Sequence, residues 1–181
     1  MRYLIFYLMI HGIIFTQAQT SKALAVGYFG ETLTYPGIVL EYEHEIIQSE
    51  KVSLVFRSDL GYYNHMRNHQ AFFIDQHIGI RRNIGQRMFI EHSLGLGVMF
   101  PFLNAPVYSV TEQGEVVESS KVMNPDFMPS FSMGLGYDFN STTNRDAIWV
   151  RPKMFWQYPY NTLALPHVAI QIGFTHTFNT K

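Results

Sequence analysis

From Phe127 to Phe139 large apolar and small or polar side chains alternate along the chain. Phe127, Phe131, Met133, Leu135, Tyr137 and Phe139 fall on one parity, with Pro129 among them. Met128, Ser130, Ser132, Gly134, Gly136 and Asp138 fall on the other. A period of two predicts a β-strand with one apolar and one polar face. The large face carries aromatics at both ends, and the small polar face is rich in glycine. That combination suits a strand whose outer face meets lipid and whose inner face meets a crowded lumen.

The pattern recurs. Turn-forming residues divide the chain beyond residue 21 into eight segments of this kind, at 22–30, 37–47, 51–62, 71–82, 87–99, 127–139, 146–156 and 167–178. The fifth puts Met88, Ile90, His92, Leu94, Leu96 and Val98 outward against Phe89, Glu91, Ser93, Gly95, Gly97 and Met99. The eighth puts Val168, Ile170, Ile172, Phe174, His176 and Phe178 outward. Most segments have the roughly 9–11 residues that a tilted strand needs to cross a bilayer. With these boundaries, longer connections at 31–36, 63–70, 100–126 and 157–166 alternate with shorter ones at 48–50, 83–86 and 140–145. Short turns at one end and long loops at the other are expected of a membrane barrel. The predicted fold is all-β, an eight-stranded antiparallel transmembrane up-and-down β-barrel.

Composition agrees with this reading. Aromatic and charged residues each make up 15%, the second figure low for a soluble domain, where roughly a quarter is charged. Thirteen Lys and Arg balance 14 Asp and Glu, so no electrostatic argument points to nucleic acid. The chain has no cysteine, which rules out disulfides and a lipidated cysteine. Met1 to Thr20 reads as a secretory signal: Arg2 gives the positive start, Tyr3 to Phe15 the apolar run, and Thr16-Gln17-Ala18 the small-residue site. Cleavage after Ala18 would leave 19–181 as a single barrel domain.

Near the C-terminus, Gln171-Ile172-Gly173-Phe174-Thr175-His176-Thr177-Phe178 is similar to the last-strand signal read by the barrel-assembly machinery, with Gln171, Gly173 and Phe178 at matching positions. His176 departs from that pattern, and Asn179-Thr180-Lys181 extend past the terminal aromatic. Over roughly the whole mature chain, the architecture resembles the small eight-stranded outer-membrane barrels of Gram-negative bacteria, the OmpA/OmpX type. The resemblance implies an outer-membrane location, contact with outer-membrane lipid and engagement of the assembly machinery during biogenesis.

On the predicted parity, the inward face holds Glu41, Glu43, Glu45, Asp59, Asp75, Glu91 and Asp138, together with Arg57, Arg81, Arg151 and Lys153, with His77 nearby. An eight-stranded barrel is only just wide enough for side chains to fill it, and buried charges must pair. Two readings follow: a structural salt-bridge network that plugs the lumen, or an ion or proton pathway. Pro129 and Pro152 each cost a ladder donor and are expected at a bulge or a strand end.

Other chemistry is sparse. Glu91-His92-Ser93 suggests a hydrolase until parity turns His92 away from its neighbours. His65 and His69 could share a metal only across a helical turn; the alternative is a solvated surface loop. Asn140-Ser141-Thr142 matches a glycosylation acceptor but reads as a turn. No cofactor is implied. Tyr28, Tyr42, Tyr62, Tyr137, Phe139, Trp156 and Phe178 are expected in aromatic girdles. In the 100–126 connection, Val107–Val110 and Val116-Val117 are expected to pair as a hairpin turned at Gln113-Gly114. That segment is the candidate contact for an extracellular partner. The expected role is non-enzymatic, either membrane-structural or surface interaction. The alternatives are a lipid-modifying enzyme and an exported soluble barrel with an apolar ligand inside.

Overall fold

The computed structural model describes residues 21–49, 51–66, 69–119, 124–139, 146–160 and 163–178. The leader, with its cleavage site, and Asn140-Ser141-Thr142 lie outside them. Eight strands close a barrel: β1 (Lys22–Glu31), β2 (Tyr35–Gln48), β3 (Val52–His65), β4 (His69–Ile84), β5 (Met88–Leu103), β8 (Asp126–Asp138), β9 (Ala147–Tyr160) and β10 (Leu163–Phe178). Each pairs antiparallel with its neighbour, and β1 closes on β10. A separate two-stranded sheet, β6 (Val107–Val110) with β7 (Val116–Ser119), stands in the connection between β5 and β8.

The register sets the barrel's shape. A walk from Lys22 passes His44, Phe56, Ile78, Leu94, Phe131, Met154 and Val168. It returns just beyond β1 at Thr32, whose amide donates to the Val168 carbonyl at 2.7 Å. The stagger is thus ten residues (32 − 22), which tilts the strands and leaves an interior that side chains can fill. Burial alternates along nearly every strand, as the hydrophobic pattern predicted. Leu94, Leu96, Ile148 and Ile172 point outward, while Glu91, Ser93, Trp149 and Gln171 point in.

The expected alternation of long and short connections is not found. β1 ends at Glu31 and β2 begins at Tyr35, β3 ends at His65 and β4 begins at His69, and β9 ends at Tyr160 with β10 beginning at Leu163. The segment between β5 and β8 is the longest, and the β8–β9 connection over residues 139–146, expected to be short, comes next. Two causes account for the difference. Thr32 and Leu33 turn the chain with φ of 46° and 66°, left-handed conformations that normally call for Gly, Asn or Asp, so no turn signal marks this corner. Pro36, Pro101, Pro159 and Pro166, which suggest loops, lie inside extended strands.

Pro129 and Pro152 are also placed differently from expectation. Both lie within a strand, paired on one side with Leu96 and Ile170 respectively. On the other side each faces the β8–β9 ladder, where the Pro129–Trp156 and Met133–Pro152 pairings are missing while the register continues unshifted. The two prolines direct their missing donors at one seam.

Candidate functional site

The barrel's interior is its most distinctive chemical region. Arg57, projecting from β3, donates to Asp59 at 3.0 Å and pairs with Glu91, and its remaining amino group reaches Ser93 and Ser132 at 3.3 and 3.4 Å. Arg81 holds Glu43 at 2.8 Å and Glu91 at 2.7 Å, with Glu45 at 3.6 Å. Arg151 crosses the lumen from β9 to grip both Glu41 oxygens at 2.8 and 3.0 Å. It also lies 3.6 Å from Glu43 and 3.5 Å from Glu91, and its guanidinium covers the Trp149 ring at 4.0 Å. Lys153 sits 2.9 Å from Asp75 and 3.6 Å from Asp59, and His77 Nε2 faces the same carboxylates at 3.0 and 3.2 Å.

These contacts join Glu41, Glu43, Glu45, Arg57, Asp59, Asp75, His77, Arg81, Glu91, Arg151 and Lys153 into one network. Six carboxylates face four permanent cations within it. Arg57, Arg151 and Lys153 are each 1% exposed. Isolated charges at such depth would be prohibitive, and the shared contacts of each guanidinium make them tolerable. Asp138, half-buried at the end of β8, lines a cavity of about 20 Å³ with Glu43, Glu45 and Arg81.

Toward the end that carries β6 and β7, an apolar plug overlies the charges. Phe29, Tyr63, Phe73 and Phe155 pack with centroid separations of 4.9 to 6.5 Å, alongside Met99 and Met128. Lys153 Nζ lies 5.2 Å from the centre of the Phe73 ring, so the cation contacts carboxylates and plug together. Above the plug is a second polar tier. His167 Nδ1 lies 3.0 Å from Glu31, Gln157 donates to Asp126 at 2.6 Å, and the Tyr63 hydroxyl meets His69 at 3.1 Å. Sequence reasoning missed plug and tier alike. The parity that placed Asp75 inward also placed Phe73 inward, but the aromatics were credited to the outer surface.

His65 and His69 are cross-strand partners with rings stacked 5.8 Å apart, not neighbours on a helical turn. Among the described residues, no group of three or more potential ligands is arranged to hold a metal. His92 points out and Ser93 in. Ser93 Oγ instead lies 3.4 Å from His77 Nδ1, with Asp75 beyond it, an outline of a nucleophile, base and acid. Ser93 is 3% exposed and also bonds Ser132 at 2.7 Å. Ser93 borders an outer-wall groove of about 270 Å³ with Leu54, Ile78 and Leu94, but its side chain points into the lumen.

Of the last-strand residues, Gln171 and Gly173 face the lumen and Phe178 faces out. A Cβ at Gly173 would collide with the Trp149 ring, so this wall position admits only glycine. Tyr42 does not sit in a girdle. It lies mid-strand, opposite Ser58. The polar lumen and apolar exterior contradict the soluble-barrel alternative, which requires the reverse.

No protein-family model matches the chain, and no curated protein matches it. Solved structures do. The crystal structure of Neisserial surface protein A (NspA) superposes with a TM-score of 0.52 over 89% of this chain and 96% of that one, at 8% identity. The outer membrane enzyme PagL matches at 0.49 over 84% and 97%, at 10% identity. The N-terminal β-barrel domain of Pseudomonas aeruginosa OprF matches at 0.47 over 88% and 100%, at 14% identity. The closed eight-strand ring, its apolar exterior and the likeness to NspA agree: the chain has the architecture of the small outer-membrane β-barrels, of OmpA/OmpX type.

Proposed function

We propose that this chain is a non-enzymatic integral outer-membrane protein with a plugged lumen, which meets an extracellular partner through the segment between β5 and β8. The observation that carries this reading is the closure of the interior. A continuous ion-pair network under an aromatic plug leaves neither a wide channel nor access to the Ser93 hydroxyl. In planar bilayers the protein should show no stable large conductance. A porin-like current would overturn the plugged-lumen reading. The lipid-modifying alternative predicts a changed lipid A acyl pattern in cells that express the chain.

The interaction role rests on β6 and β7. Their hairpin turns through Thr111 to Glu115, with Gly114 at φ 83° and its amide bonded to the Thr111 carbonyl at 2.9 Å. One face presents Tyr108, Val110 and Val116, which are 64%, 70% and 68% exposed. The hairpin belongs to a sheet of its own, and loop length adds little closure entropy. Replacing residues 105–124 with a short Gly/Ser turn should therefore leave heat-modifiable gel mobility intact while abolishing surface binding. Loss of the folded band would tie this segment to barrel integrity. In biogenesis, Gln171, Gly173 and Phe178 serve in this reading as the signal for the assembly machinery.

A further inference from the structure

A polar pair interrupts the outer wall near mid-height on β3 and β4. Tyr42, Ser58, Gln76 and Leu96 follow one another across β2, β3, β4 and β5 in direct register. Ser58 and Gln76 lie near the middle of their strands and point outward, among Leu40, Leu60, Ile74 and Leu96, which are 49% to 62% exposed. The Ser58 hydroxyl donates to the Gln76 carbonyl oxygen at 2.6 Å. That single bond leaves the Gln76 amide nitrogen, with two N–H donors, facing hydrocarbon. Acyl chains offer no acceptor, and unsatisfied donors are costly in lipid.

The relief beside this pair is uneven. On one side an open groove of about 630 Å³ begins at Gln76 and Ile74, takes in Ser58, Leu60, Leu40 and Tyr42, and continues around the ring to β1 and β10. On the other, Leu94 and Leu96 stand out as a ridge, 65% and 62% exposed. We propose that the outer face centred on Gln76 is the interface of a homodimer. A two-fold axis along the membrane normal through Gln76 sets the Leu94/Leu96 ridge of each copy against the groove of the other. An isologous interface of this kind needs a self-complementary patch. It also brings the two Gln76 carboxamides together, and a carboxamide carries both the donor and the acceptor that another carboxamide lacks. A phospholipid chain could fill the groove but could not satisfy the amide.

This inference rests on the membrane-spanning reading, and one experiment separates the two. The chain has no cysteine of its own, so single-cysteine variants of the full chain report cleanly. Ile78, two residues along β4 from Gln76 on the same face, lies beside the proposed axis, whereas Ile172 on β10 lies on the opposite wall of the ring. Each variant is reconstituted into phosphatidylcholine vesicles and oxidised with copper phenanthroline, with heat-modifiable mobility read on the same gel. Ile78→Cys should form a disulfide-linked dimer and Ile172→Cys should not. Adding Gln76→Leu to Ile78→Cys should lower the dimer yield roughly tenfold and leave the folded band unchanged. Equal yields from both sites, no dimer as the protein-to-lipid ratio rises, or a yield indifferent to Gln76→Leu would each overturn the dimer and leave the barrel standing. A chain with no folded band in vesicles would overturn the membrane reading and the dimer with it.

Discussion

Arg151→Ala should destabilise the barrel by about 3–5 kcal/mol, because it removes one partner from a buried network and leaves the others charged. Glu41 would lose both of its short contacts with this guanidinium, at 2.8 and 3.0 Å. Its next cation, Arg57, stands 3.8 Å away and is already committed to Asp59 and Glu91. Urea titration in lipid vesicles, followed by the folded band, measures the loss. The double variant Arg151→Met, Glu41→Leu should recover much of it, since apolar side chains of similar volume can replace a buried pair at little net cost. If Arg151→Ala unfolds at the wild-type urea concentration, the lumen must be wet enough to solvate Glu41, and the plugged interior is wrong.

The second large effect belongs to the outer wall. Ile172 stands near the middle of β10 with its side chain 52% exposed. Ile172→Arg should cost about 2–4 kcal/mol, the depth-dependent penalty for a cation near the bilayer midplane. The same titration reads it, with Thr111→Arg in the hairpin turn as a control expected to be neutral. An Ile172→Arg barrel as stable as the wild type would mean that this wall faces water.

The outer wall was the most legible part in sequence, because lipid imposes a strict rule of alternate large apolar side chains. Met88 to Val98 and Phe127 to Phe139 obey it at every outward position but His92 and Pro129. The charged lumen followed from the same parity, which assigned Glu41, Arg57, Asp75 and Arg151 to one face without any knowledge of their partners. Pairing is a different matter. Arg151 and Glu41 lie on strands far apart in the chain, and only the ten-residue stagger brings them to one level. The connections misled for a local reason. Thr32-Leu33 turns the chain without glycine, and Pro36, Pro101 and Pro166 sit in strands whose lost donors the single-sequence pattern cannot locate. The plug stayed hidden because a phenylalanine carries no mark of which solvent it meets. Phe29 and Phe73 fit the interior only once the size of the gap above Lys153 is known.

The two prolines that face the β8–β9 ladder bear on how such a ring would come apart. The first and last strands of the barrel meet at β1 and β10, where all ten residues of β1 are paired. That ladder runs without a gap, whereas the β8–β9 ladder lacks the pairings at both prolines. An unrolling barrel would part between β8 and β9 and open into a curved sheet with those two strands as its margins and the β1–β10 ladder in its interior. The fault line would lie between two strands consecutive within the barrel, not at the ladder that closes the ring.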